Sequence, residues 1–255
     1  MLTFPQPILP KEFSYHNHSV WSDGNATLLE MCAAAKSKGY REFGMSDHCV
    51  CRPGLESEPV SWAMAREQLD GYFQELQSVK DSLDDENFTI RRGLEIDFFP
   101  ENFSLLQSIL AKYPLDYRIG ASHYADGFSV DGDIKLWEPL SQAEIDHVWD
   151  AYWTNTFALV KTGYFQILAH LDLPKKFAFK PSRDQTDNAM DVLRAMQKSG
   201  MALEINTAGW DKPCQECYPS PRIIQAAREM KIPIVISSDS HAVKHIGRNY
   251  DKLAL

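Results

Sequence analysis

Metal-ligand side chains stand two residues apart near both ends of this chain. His16-Asn17-His18 is followed by Ser22-Asp23-Gly24, and Ser237-Ser238-Asp239-Ser240-His241 lies far downstream. Each group closes an apolar, β-type run. A strand turns residues i and i+2 to the same side, so each pair converges on one spot. Neutral imidazole with carboxylate is the ligand set of Zn, Fe and Mn sites. The same residue types recur in between, at Ser46-Asp47-His48, Glu95-Ile96-Asp97, Ser122-His123, His170-Leu171-Asp172 and Glu204-Ile205-Asn206. A lone histidine is usually a core or surface imidazole, but six of the eight histidines fall at the ends of such runs. His147, inside a helical pattern, and His245, past the last run, read as surface residues.

The elements that must position these side chains alternate along the chain. β-rich runs cover residues 13–18, 42–46, 89–96, 117–122, 166–169, 202–205 and 234–237. Helical patterns follow them at 27–38, 61–83, around Leu105 to Leu110, and at 141–160, 186–198 and 220–230. Leu69, Phe73, Leu76, Val79 and Leu83 keep helical spacing. Ser141 with Glu144 forms a capping box, and Gly39 and Gly200 stand where helices end. Strands alternating with helices predict a parallel sheet. An open sheet would gather its ligand-type residues at one switch point. Here they end every strand, which favours a closed barrel with its site at the C-terminal rim. A chain of 255 residues suits one such domain, spanning 1–255.

The net charge of −9 speaks against a nucleic-acid polymer as partner, because such binding rests on many Lys/Arg–phosphate contacts. Bound cations reverse the sign locally, so a small anion in a metal-lined pocket stays compatible. No apolar run approaches the roughly 20 residues that span a bilayer, and residues 1–11 lack the basic and apolar regions of a signal peptide. Five cysteines, an odd number, read as reduced thiols in the cytoplasm. Cys214 and Cys217 have the spacing of half a zinc site. No second pair matches them, and incidental loop cysteines are the favoured reading.

The ordered set His-x-His with Asp-Gly, Ser-Asp-His, Gly-Leu-Glu-x-Asp, Ser-His, Ala-His-x-Asp and Ser-Asp-Ser-His, over residues 13–250, resembles the polymerase and histidinol phosphatase (PHP) family. Residues 170–177, 204–209, 218–221 and 247–251 are similar to its histidinol-phosphatase branch. The resemblance implies a distorted (β/α)7 TIM-like barrel holding three divalent metal ions, Zn, Fe or Mn. Their implied ligands are His16, His18, Asp23, His48, Glu95, His123, His170, Asp239 and His241. Asp23 stands where some members carry histidine, which exchanges one metal ligand for another. The implied activity is L-histidinol-phosphate phosphatase, in histidine biosynthesis. The alternative is another phosphoesterase of the family, acting on a nucleotide or small phosphorylated metabolite.

Charge arithmetic agrees with a phosphomonoester substrate. Three acidic ligands and a bridging hydroxide leave such a cluster about two positive charges, the complement of a phosphate dianion. The metal-bridging hydroxide is the expected nucleophile, since coordination lowers the pKa of water from 15.7 towards ~7. Asp47 and Asp97 either orient imidazoles or serve as cap or loop carboxylates. Lys175, Lys176, Lys212 and Arg222 are basic residues near the rim, and the resemblance favours Lys176 and Lys212 as phosphate contacts. Solvated surface lysine is the alternative. Glu204, Asp172 and Asp97 are candidate acceptors for the substrate's amino group. Trp137 and the tryptophans Trp149 and Trp153 read as outer packing. A non-catalytic module of the family is disfavoured by the complete ligand set. An amidohydrolase is disfavoured by the Asp239-x-His241 pair.

Overall fold

Among the residues that the computed structural model describes, 1–4, 11–55 and 60–253, nine of eleven short strands build seven parallel staves. Residues 5–10 of the N-terminal stretch read above for a signal peptide lie outside the described residues. The first stave is β1 (Phe13–Ser14), whose chain runs on to His18. The second is β2 (Glu42–Met45) and β3 (His48–Cys49), interrupted at Ser46-Asp47. The third is β4 (Thr89–Arg92) and β5 (Glu95–Asp97), interrupted at Gly93-Leu94. Next comes β6 (Ile119–Ala121), with a small antiparallel hairpin after it, β7 (Tyr124–Ala125) and β8 (Phe128–Ser129). Single strands β9 (Ile167–Leu168), β10 (Ala202–Asn206) and β11 (Ile234–Ser237) complete the series.

Pairing is parallel throughout the staves, in the order β1-β2-β4 and β3-β5-β6-β9-β10-β11. Asn17 bridges Ser240 in parallel, and the His18 N–H donates to the Ser240 carbonyl at 2.8 Å. That contact joins the last stave to the first and closes the ring. The result is a distorted (β/α)7 TIM-like barrel. The distortion lies in the second and third staves, whose lower and upper halves pair in different sheets.

Helices α1 (Leu28–Ser37), α2 (Leu69–Leu83), α3 (Phe103–Leu110), α4 (Gln142–Lys161), α5 (Thr186–Ser199) and α6 (Pro221–Glu229) carry the chain between staves. Capping boxes Thr27/Glu30 and Ser141/Glu144 start α1 and α4. Each cap is worth about 1 kcal/mol, because it satisfies amide groups the helix leaves open. The helical pattern over 61–83 is only partly realised. Met64 forms a parallel bridge to Cys49, with its N–H on the His48 carbonyl at 3.1 Å, so the chain before Arg66 pairs alongside β3 instead of joining the helix. This tie brings the Trp62 ring edge-on to His48, 4.7 Å between centroids.

Inside the ring the lower half is apolar and the upper half polar. Tyr15, Tyr117, Ile119, Ala121, Ile167, Ala169, Ala202 and Val235 form the plug. The Tyr117 hydroxyl donates to the Tyr15 carbonyl. A Cβ at Gly44 or Gly93 would overlap the Tyr117 ring, so both places require glycine. Above the plug stand His16, His18, Asp47, Glu95, Asp97 and Glu204, each 3% exposed or less. Burying such groups unpaired costs about 1–3 kcal/mol apiece, and more when charged. The upper barrel must therefore pair them or hold cations. No described helix is long and apolar enough to cross a membrane.

Candidate metal centre

Strand geometry aims His16 and His18 from the first stave at Glu95 on the third. The Glu95 carboxylate lies 2.8–3.5 Å from ring nitrogens of His16, His18, His48, His123 and His170. Asp239, from the loop after β11, places Oδ1 3.2 Å from His18 Nε2 and 3.6 Å from His16 Nε2. Towards solvent, Asp23 stands 3.2 Å from His241 Nε2 and 3.6 Å from His48 Nε2. All nine side chains expected as ligands thus meet at one rim. Three groups bring their ligand atoms within 4.8 Å of one another: His18 with Asp23, His48 and His241; His16 with His18 and Glu95; and His48 with Glu95 and His123. His170 and Asp239 lie outside those three groups but touch their members.

The donor set fits cations. His16 Nε2, both ring nitrogens of His18, His48 Nδ1, Glu95 Oε2 and Asp239 Oδ1 are buried without hydrogen-bond partners among the described residues. Native interiors leave few such atoms, and a cluster of them facing one point is what an ion would satisfy. Burial, with His241 and His48 next to it, pushes His18 down to about 3. Neutral imidazole is the form that ligates. Burial also opposes charge on Glu95, but the surrounding imidazoles outweigh it and hold the carboxyl well below its usual range.

Around the cage, carboxylates fix imidazoles. His16 Nδ1 lies 2.7 Å from Glu204 Oε1, and the other Glu204 oxygen accepts from the His170 N–H at 2.8 Å. Asp97 accepts from the His123 N–H at 3.0 Å and lies 3.1 Å from its Nδ1. Asp47 touches no imidazole nitrogen. Its oxygens accept from the Ser19 N–H, Ser19 Oγ and Ser22 Oγ, so it holds the turn that delivers Asp23. Of the two alternatives open for these carboxylates, Asp97 orients a ring and Asp47 is a loop carboxylate. Partners that orient metal-site histidines are worth about 10–100-fold in metal affinity or activity. Asp97→Asn is therefore expected to lower kcat/KM about 10–100-fold with little change in thermal unfolding. An unchanged kcat/KM would remove Asp97 from the site.

The cage floors a cavity of about 420 Å³, a volume typical of small-molecule sites. Lys176 and Lys212 line it, as the sequence anticipated. Burial and then the neighbouring Lys176 disfavour the Lys212 ammonium, so an anion between them would relieve both. Lys175 and Arg222 do otherwise. Lys175 turns beneath the rim to Asp172 (3.1 Å), Glu216 (2.7 Å) and the Cys217 carbonyl. Arg222 is exposed on α6 beside Asp184. The short turn Leu173–Phe177 sends adjacent lysines to opposite sides.

Among the lining residues that sequence reasoning missed, four bear on the site. Arg248 donates to the Ser238 and Asp239 carbonyls, 2.9 Å each, and pins the loop that carries Asp239. His245, read as a surface residue, lines the cavity. So do Trp62 and Asp131. Position soon after the last strand was the only available signal for His245, whereas Arg248 also lay in the 247–251 segment that resembles the histidinol-phosphatase branch. Trp62 and Asp131 had none. His147 is exposed beside Asp126, and Trp137, Trp149 and Trp153 are buried packing. No disulfide joins the cysteines among the described residues, and Cys214 and Cys217 each direct sulfur at a backbone carbonyl.

Comparison with known proteins agrees with this geometry. The PHP domain model matches residues 14–208. A Deinococcus radiodurans protein named "Probable histidinol-phosphatase" is 33% identical over 222 residues, 87% of this chain and 82% of that one. The crystal structure of a Listeria monocytogenes protein assigned as a histidinol phosphatase superposes with a TM-score of 0.80 at 22% identity, covering 95% of this chain and 100% of that one. Histidinol phosphate phosphatase from Lactococcus lactis, complexed with Zn, L-histidinol and phosphate, gives a TM-score of 0.77 at 19% identity, covering 96% and 92%.

Proposed function

The chain belongs to the PHP domain family, and on that footing we propose that it is an L-histidinol-phosphate phosphatase, a metal-dependent phosphomonoester hydrolase serving histidine biosynthesis. One observation carries the reading: buried imidazoles and carboxylates with unpartnered ring nitrogens floor a cation-rimmed cavity sized for a small metabolite. The three ligand groups support three divalent ions, Zn, Fe or Mn, on His16, His18, Asp23, His48, Glu95, His123, His170, Asp239 and His241. When bound, the ions supply Lewis-acid chemistry, activating water at neutral pH and neutralising phosphate oxygens.

The chain's own residues do the rest. Glu204 and Asp97 hold the His16 and His123 rings in orientation. Asp47 fixes the turn before Asp23. Lys176 and Lys212 draw the phosphate dianion to the cavity, each as a point charge. Trp62 and Tyr218 line the same cavity with aromatic surface suited to an imidazole. A single domain over 1–255 and a cytoplasmic setting belong to the same reading, supported by the closed ring of staves and by thiols that form no disulfide among the described residues.

The experiment is a kcat/KM comparison of L-histidinol phosphate with nucleoside monophosphates and sugar phosphates. The expected outcome is a preference of about 100-fold or more for histidinol phosphate, since a site that pairs with polar groups rejects ligands lacking them. A nucleotide or sugar phosphate hydrolysed equally well would favour the alternative family activity.

A further inference from the structure

Asp131 follows the hairpin β7–β8 and lines the cavity beside Gly132. Setting aside the proposed metal ligands, it is the one carboxylate among the described residues that lines this cavity. The three carboxylates expected from sequence to receive a substrate amino group are all committed elsewhere. Glu204 holds His16 and the His170 amide. Asp97 holds His123. Asp172 binds Lys175 and the Ser220 N–H. Asp131 is engaged differently. Lys176 Nζ donates to its carbonyl and lies 3.2 Å from Oδ2, while Oδ1 has no partner among the described residues. Its side chain is 27% exposed, so a ligand can reach it.

We propose that Asp131 is the specificity residue that receives the substrate's ammonium group while its partner Lys176 faces the phosphate; this assignment rests on the histidinol-phosphate reading. The chemistry of that substrate matches the pair. Its amine sits on the carbon next to the one bearing the ester oxygen, so ammonium and phosphate lie at the same end of the molecule. A carboxylate held beside a phosphate-seeking lysine is the complement of that arrangement. The Asp131–Lys176 contact holds both side chains in place before substrate arrives. A nucleotide or sugar phosphate offers no cation at this distance and leaves the carboxylate facing a second negative charge. The residue therefore attracts one substrate and repels its competitors, which is how affinity becomes selectivity.

The test compares L-histidinol phosphate with 3-(imidazol-4-yl)propyl phosphate, the same molecule without the amine, on wild type, Asp131→Asn and Asp131→Glu. A hydrogen bond to a charged group is worth a factor of about 10–100 in binding. Wild type is expected to favour the amine-bearing substrate by that factor in kcat/KM. Asp131→Asn should bring the ratio within about threefold of unity, and Asp131→Glu should restore part of it. Because the readout is a ratio, a lower yield of folded protein does not move it. A wild-type ratio near one, or an Asp131→Asn ratio equal to wild type, overturns the assignment. If wild type hydrolyses L-histidinol phosphate no faster than p-nitrophenyl phosphate, the substrate reading itself falls, and this assignment with it.

Discussion

Dialysed against a strong chelator, the protein loses phosphatase activity by at least about a thousandfold and recovers it when Zn, Mn or Fe is restored. Metal polarisation supplies several kcal/mol of transition-state stabilisation, and ~1.4 kcal/mol is tenfold in rate. Among the described residues the cavity floor offers only imidazoles and carboxylates packed against one another, which do not replace the polarising charge of a cation. Proton competition sets the direction with pH. Burial opposes charge on His123, but Asp97 and Glu95 outweigh it and hold the ring up at about 10. His241 is likewise held up at about 9, Asp23 and Asp239 outweighing burial. A cation must displace those protons, so metal binding tightens as pH rises and the chelator strips the protein more readily in acid. Metal analysis and p-nitrophenyl phosphate hydrolysis on the same samples check this. Full activity after verified removal would refute the metal-dependent mechanism.

Glu95→Gln is expected to cost nearly as much as chelation: at least about a thousandfold in kcat, with metal per chain falling in parallel. The carboxylate stands against five imidazoles in a fully buried place, where the isosteric amide keeps the volume and loses the charge. Removing one partner from a buried charged set is strongly destabilising, about 3–5 kcal/mol, so thermal unfolding should also move down. His241→Ala, whose side chain is 24% exposed at the outer edge, should lose metal and rate together but disturb unfolding less. Retained metal with normal kcat in Glu95→Gln would mean that the cage is organised around some other group.

Much of this site was legible along the chain because strand geometry is local. An i, i+2 pair at the end of an apolar run points to one side whatever the rest of the fold does. That logic exposed His16 with His18; Asp239 and His241 also converge, but from a loop in which Asp239 has a positive φ of 48°, so their meeting is not strand geometry. Repetition of polar residues at every strand end pointed to a barrel rim. The Ser141 capping box, read from a three-residue spacing, starts α4 as expected. Local readings failed where a distant partner competes. The pattern over 61–83 looked helical throughout, but Met64 is captured by β3, which the sequence does not announce.

Residue types and their short-range spacing determined the class of chemistry, the alternation of strands and helices, and the side chains that could serve metal. Only the tertiary structure decided what each polar group does. Asp47, Asp97, Asp172 and Glu204 all come from the polar stretches that close the β-rich runs of the sequence, yet one steadies a turn, one orients His123, one anchors Lys175 and one supports His16. Lys175 and Lys176 are neighbours, yet one faces Glu216 and the other lines the cavity. Backbone periodicity sets the direction of a side chain, but its partner comes from whichever remote element packs across from it. That choice exists only once the ring has closed through Asn17 and Ser240.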